Sequence, residues 1–235
     1  DGSLIGKYRS TSVHQSLKNL FYSYLPVFID SKTDTSQVKV KNNFELNIDL
    51  KNTRPITEIF LPKLEIGKNA NINLDYDGSE KYFNLTASSE AMKYKYYHFK
   101  KLNLVSRSQD TIFSLIFDLD HLKFNPKEEA TYLNNYSLKS LTGNNKSKIL
   151  IDWDDPDNNS SKGEFIALVD FIKPIEKENV VSQIFLLPGV LNLQNEEWNL
   201  KKSKITIDTN SITFDGLKFQ HKHQELEIDG KITEN

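Results

Sequence analysis

Apolar and polar residues alternate one by one along most of this chain, the period of a strand with one dry and one wet face. The clearest run is 38–50. There Val38, Val40, Phe44, Leu46, Ile48 and Leu50 point one way, and Lys39, Lys41, Glu45, Asn47 and Asp49 the other. The pattern recurs in Ile72-x-Leu74-x-Tyr76, in Phe83-x-Leu85-x-Ala87 and in Phe113-x-Leu115-x-Phe117-x-Leu119. It returns in Ile149-x-Ile151-x-Trp153 and Phe165-x-Ala167-x-Val169-x-Phe171, and the C-terminal part repeats it as Ile205-x-Ile207, Ile212-x-Phe214, Leu217-x-Phe219 and Leu226-x-Ile228. Turn signals separate the runs. Asp77-Gly78 reads as a tight hairpin turn, and Gly143-Asn144-Asn145, Asp154–Lys162, Asn210 and His221–Gln224 as polar tips. About a dozen strands so closely spaced predict one antiparallel meander, an all-β fold.

Two stretches break the alternation and a third is ambiguous. In Ser12–Leu25 the apolar residues Val13, Leu17, Leu20, Phe21, Tyr24 and Leu25 are spaced by three and four, which predicts an amphipathic helix stopped by Pro26. Pro55–Leu61 carries Ile56, Ile59 and Phe60 behind a first-turn proline and fits one or two helical turns. Pro126–Asn134 is a candidate third short helix. A soft boundary near residues 30–36 separates an N-terminal segment, 1–36, from a strand domain, 37–235. So long a meander cannot stay flat. It must curl, close into a barrel or fold into two layers, each with one apolar and one polar face.

Composition narrows the function classes more than it selects one. A net charge of −2 and a pI near 6.3 leave no basic surface for nucleic acid. No apolar run is long enough to cross a bilayer as a helix. Cysteine is absent, which removes disulfides, thiolate metal sites and cysteine nucleophiles. No phosphate-binding loop, nucleophile elbow or zinc-protease motif occurs, so the sequence predicts neither catalysis nor a cofactor. Asp155-x-Asp157-x-Asn159 has the ligand spacing of a calcium loop, but Ser160 stands where the loop needs glycine and Ile166 where it needs glutamate. A polar hairpin tip explains the same residues. His221-x-His223 sits in a predicted turn and reads as a solvated pair. The aromatic run Tyr94, Tyr96, Tyr97 and Phe99 reads as a strand with one dry side. The chain starts at Asp1 and stops after a strand-like run, and is read as part of a larger protein.

The C-terminal third carries a resemblance. Ile184-x-Leu186-x-Pro188 is followed by Trp198-x-Leu200, then Ile205-Thr-Ile207, then Ile212-Thr-Phe214-Asp-Gly-Leu217-Lys-Phe219, then Leu226-Glu-Ile228-Asp-Gly230-Lys-Ile232-Thr. Leu64-x-Ile66-x-x-x-Ala70-x-Ile72-x-Leu74-x-Tyr76-Asp77 and Ile149-x-Ile151-x-Trp153-Asp154 repeat the phrase. Over residues 37–235 this resembles the AsmA/TamB-like family of bacterial envelope proteins, the TamB branch in particular. The resemblance implies a long antiparallel sheet curled into a U-shaped trough (a β-taco) with an apolar concave face and one to three short helices. It implies the periplasm, and a role in moving or sheltering phospholipid between inner and outer membranes, with outer-membrane protein assembly as a second proposed role. It further implies an inner-membrane anchor and an outer-membrane barrel partner of the Omp85 type, both engaged through parts outside this chain.

On that reading the trough lining is Val38, Val40, Phe44, Leu46, Ile48, Leu50, Ile72, Leu74, Phe83, Leu85, Phe113, Leu115, Phe117, Ile149, Ile151, Phe165, Ala167, Val169, Ile205, Ile207, Ile212, Phe214, Leu226 and Ile228. An acyl chain needs only a continuous dry surface, since burial is worth about 0.8 kcal/mol per methylene. The same residues would equally fill the sealed core of a β-sandwich, and a non-catalytic scaffold for protein partners is the alternative reading.

Overall fold

The computed structural model describes residues 1–29, 42–51, 57, 63–67, 69–124, 131–155, 161–175, 179–193 and 195–234. The fold is mainly β, with one helix and one 3-10 turn among these residues. Strand β1 (Gly2–Lys7), helix α1 (Ser10–Tyr24) and the 3-10 turn (Pro26–Phe28) precede β2 (Asn43–Leu50), β3 (Leu64–Ile66) and β4 (Ala70–Asp77). Five long strands follow: β5 (Tyr82–Tyr94), β6 (Tyr97–Gln109), β7 (Ile112–Phe124), β8 (Thr131–Gly143) and β9 (Lys146–Asp155). The chain continues through β10 (Ser161–Ile172), β11 (Val181–Leu186), β12 (Gly189–Leu193), β13 (Glu196–Leu200), β14 (Ser203–Asp208), β15 (Ser211–His221) and β16 (Gln224–Thr233). All sixteen belong to one antiparallel sheet.

The registers reduce this to a simpler object. β3 and β4 lie end to end along β5, with a one-residue slip near Asn69, whose φ is 65°. β11 and β12 lie end to end along β10, with one extra residue at Leu187-Pro188. The Leu187 N–H still donates to the Ile166 carbonyl at 2.9 Å, and Pro188, with no N–H to offer, sits where the ladder is already broken. β13 and β14 pair with β15 in unbroken register from Asn199↔Gln220 to Lys204↔Asp215. With three pairs of segments each acting as one, the sixteen strands amount to thirteen among the described residues, in strict up-and-down order. At about 4.8 Å per strand this is roughly 60 Å of sheet.

Irregularities line up across neighbouring strands. Gly216 in β15 has φ of 61°, and the register with β16 slips between Phe214 and Leu217. The apolar residues of β15 change there from Ile212 and Phe214 to Leu217 and Phe219. The adjacent strands are interrupted at the same level, at Lys201–Lys202 and at Leu187–Pro188. A second seam runs through Lys101 (φ 46°) and Asn135 (φ 47°), where Lys101 meets Asp120 at 2.6 Å and β7 skips from buried Leu119 to buried Leu122. The slips at Gly216 and at Leu187-Pro188 are bulges, which bend and twist their strands, whereas the register through Lys101 and Asn135 is kept on both sides.

Helix α1 lies on one face, called the inner face below. Leu20 and Tyr24 are buried against Phe44, Tyr76 and Phe83, with Val13, Leu17, Leu46, Leu74, Leu85 and Phe113 packed around them. The Phe21 ring meets Phe113 at 5.1 Å and Phe83 at 6.1 Å. The helix has no acidic first turn, no basic last turn and no side-chain N-cap bond. It owes its existence to this packing rather than to its own propensity. Its ends are tied to the sheet: the Arg9 N–H donates to Asn42 Oδ1 at 2.9 Å, and Asn145 N–H donates to the Tyr24 carbonyl at 3.0 Å.

Several expectations need correction. The helix starts at Ser10, two residues before Ser12. The end of Pro126–Asn134 is strand, because β8 begins at Thr131. Asp77-Gly78 does not form a two-residue turn. Asp77 ends β4, residues 78–81 turn, and Asp77 Oδ1 accepts the N–H groups of Ser79 and Glu80 at 2.7 and 3.2 Å. The Tyr94–Phe99 run is a hairpin turned at Lys95-Tyr96, not one strand, and it leaves Tyr94, Tyr96 and Tyr97 exposed. The outer face is not polar throughout. It is so on β2, β4 and β5, but on β7 to β10 it carries Ile116, Leu141, Leu150, Ile166 and Leu168. Val38, Val40, the boundary near 30–36 and all of Pro55–Leu61 but Thr57 lie outside the described residues.

Candidate functional site

The inner face is built as three cross-strand rows, in which each residue sits directly opposite the next. The row nearest the β4–β5 turn runs Phe44, Tyr76, Phe83, then past Ser108 to Phe113, Thr142, Ser147, Val169, Ile184, Ile205 and Phe214. The second runs Leu46, Leu74, Leu85, Ser106, Leu115, Ser140, Ile149, Ala167 and Leu186. The third runs Ile48, Ile72, Ala87, Leu104, Phe117, Leu138, Ile151 and Phe165. Leu50 stands opposite Ala70, Ile207 opposite Ile212, Ile228 opposite Leu217 and Leu226 opposite Phe219. The expected lining residues that the structure describes are therefore all brought to one face.

That face is dry under α1, half-buried in its middle, and mixed on the last strands, where Leu191, Leu200 and Leu217 are buried and Ile212, Leu226 and Ile228 are exposed. Under α1, Phe44 and Phe83 are buried. Beyond the helix, Leu115, Phe117, Ile149, Ile151 and Phe165 are only half-buried. On the last strands Ile212 is 38 % exposed and Leu226 53 %. A sealed core buries such residues completely.

Sequence reading missed four contributors. Leu104 and Leu138 complete the third row, and their signal was present in Leu102-x-Leu104 and Tyr136-x-Leu138. Leu191 and Leu200 are almost fully buried at the bulged level. Their strands are too short and too interrupted to show a period.

The serines of the inner face are satisfied internally, which is what burial requires. Ser147 shares hydrogen bonds with Ser140 at 2.9 Å and Thr142 at 3.0 Å. Ser106 donates to the Ser114 carbonyl and Ser203 to the Gly216 carbonyl. Burial pushes the Tyr76 and Tyr136 phenols above their ordinary value, and Asp152 adds to the effect at Tyr136. The Trp153 ring covers Gly163 so closely that a Cβ there would stand 2.5 Å from it. Trp153 also packs on Phe165 at 5.4 Å.

His221 departs from its solvated reading. It ends β15, is 8 % exposed and stacks on Trp198 at 5.3 Å. Its Nδ1 lies 2.6 Å from the Glu197 carbonyl and its Nε2 2.8 Å from Glu196. Both ring nitrogens are thus engaged by protein oxygens, while His223 faces solvent. A hydrogen bond from Lys222 holds the Glu196 carboxyl below its ordinary value. Among the described residues no three His, Asp or Glu side chains gather as a metal site. The Asp155 side chain, Asp157 and Asn159 fall outside them.

Comparison with protein-family models, curated proteins and solved structures finds no match.

Proposed function

We propose that this chain is a segment of a TamB-like periplasmic protein that shelters phospholipid acyl chains on its inner face for passage between inner and outer membranes. One observation carries the reading: apolar residues from successive strands share one face in aligned rows, and Leu115, Phe117, Ile149, Ile151 and Phe165 among them stay partly exposed beyond α1. Such a surface needs no specific ligand contact to hold an acyl chain, only continuity. The strand phrases of the C-terminal third add the family resemblance, which supplies the compartment, the inner-membrane anchor and the Omp85-type barrel partner as further parts of the proposal. A role in outer-membrane protein assembly belongs to the same proposal.

Native mass spectrometry of the purified chain, with lipid extraction, tests it. Phospholipid is expected to accompany the wild type and to be lost from Leu115→Arg and Ile151→Arg, both outside the α1 footprint, with circular dichroism unchanged. Leu46 is unsuited to the test because it packs under the helix. A chain that carries no lipid and melts sharply would favour the scaffold reading instead.

A further inference from the structure

The outer face carries a second apolar surface that the inner-face function does not use. Leu141, Lys148, Leu168, Phe185 and Lys204 stand directly opposite one another on β8, β9, β10, β11 and β14. Leu141 is 52 % exposed and Leu168 40 %. Together with Ile112 they border a cavity of about 480 Å³ beside the β6–β7 and β8–β9 turns. That size falls among small-molecule sites, and an apolar floor with one or two convergent polar groups is their usual make-up.

The charges at its margin are unequal. Lys146 is matched by Asp170 at 3.3 Å. Among the described residues no carboxylate pairs with Lys148, which rises between the two exposed leucines, and Lys204 stands over the Phe185 ring at 5.7 Å. Exposed leucines flanking an unmatched ammonium suit a ligand with an apolar body and an anionic head.

We propose that this outer cavity binds a free single-chain anionic amphiphile of the long-chain carboxylate class, with its chain on Leu141, Leu168, Ile112 and Phe185 and its head at Lys148. Thr142, Ser147 and Val169 of the first inner row also border the cavity, but its apolar floor and Lys148 belong to the outer face, so the proposal stands whether or not the inner face carries phospholipid. A concave pocket at two hairpin turns fits a single inserted molecule better than a flat bilayer.

The test uses the whole chain with labelled leucine and isoleucine methyls, laurate, and a spin-labelled stearate. The Leu141 and Leu168 methyl signals are expected to broaden with the spin label. Laurate affinity is expected to fall about tenfold or more in Lys148→Glu, the scale of one charge-assisted hydrogen bond, and in Leu141→Asp. Both positions are exposed, so the fold survives the changes. Broadening confined to Leu115 and Ile149 would overturn the site, as would unchanged affinity in Lys148→Glu. Binding only to vesicles containing anionic phosphatidylglycerol, with none to free laurate, would overturn it in favour of a membrane-facing patch.

Discussion

Asn145, at the tip of the β8–β9 hairpin, donates its backbone N–H to the carbonyl of Tyr24 at the end of α1. Its side-chain oxygen accepts the Val27 N–H at 2.7 Å, and its own carbonyl accepts the Phe171 N–H at 2.8 Å. One turn residue therefore fastens the helix, the 3-10 turn and β10 together. It does so from a left-handed backbone, φ 59°, next to Asn144 at 49°. Both residues being left-handed is the pattern of the tight two-residue turn that matches strand twist.

Replacing Asn145 separates its two roles. Asn145→Gly keeps the backbone conformation and loses only the side-chain acceptor, at a cost of about 1 kcal/mol. Asn145→Ala also forces an alanine into the left-handed region and is expected to cost about 2 kcal/mol. Denaturant melts measure both, and hydrogen exchange of α1 should rise before that of the central strands.

Tyr24 has the one buried side-chain polar atom without a partner among the described residues, its hydroxyl. An orphaned buried hydroxyl is a net cost. Tyr24→Phe is therefore expected to leave stability unchanged or raise it by about 1 kcal/mol, while Tyr24→Ala, which empties the helix–sheet contact with Phe113, costs about 3 kcal/mol. A melt in which the phenylalanine variant is clearly weaker would mean the hydroxyl does bond.

Gly163 is glycine because the Trp153 ring lies across it. Gly163→Ala is expected to displace that ring and cost about 1–3 kcal/mol by overpacking. Tryptophan emission should shift with it, since Trp153 is one of only two tryptophans. An unaltered spectrum would mean the ring is not held where the structure puts it.

Asp77 titrates below its ordinary value because the Ser79 N–H, then the Glu80 N–H and other donors, favour its charged form. A depressed folded-state value gives stability that is complete above the unfolded value of about 4 and is lost as pH falls through the folded one. Melting followed from pH 5 downward should therefore drop less in Asp77→Asn than in the wild type. The difference will be small, since the group is exposed to solvent.

Most of the strands were legible because each of them keeps one face dry, and a period of two survives in the sequence wherever that holds. Phe113, Leu115, Phe117 and Leu119 announce β7 this way, and Ser12–Leu25 announces its helix by spacing of three and four. The alternation also placed the expected lining residues that the structure describes on one face by parity, strand by strand. It lost the thread where strands are interrupted. Leu191 and Leu200 are core residues whose strands change parity at Pro188 and Lys201, and a one-residue slip moves every later side chain to the other face.

The sequence by itself determined the class of the fold, the strand order of a meander and the composition of its dry face, because these depend on local periodicity and on short turns. Only the tertiary structure decided what α1 does, since a helix spacing says which side is apolar and not what it meets. It lies across Phe44, Tyr76, Phe83 and Phe113 and covers one end of the face, leaving the middle strands half-buried. Tertiary structure likewise decided that His221 is buried on Trp198, and that Leu141, Leu168 and Phe185, from three separate strands, meet around Lys148 on the side expected to be polar. Such groupings arise from register between strands far apart in the chain, and no local pattern encodes them.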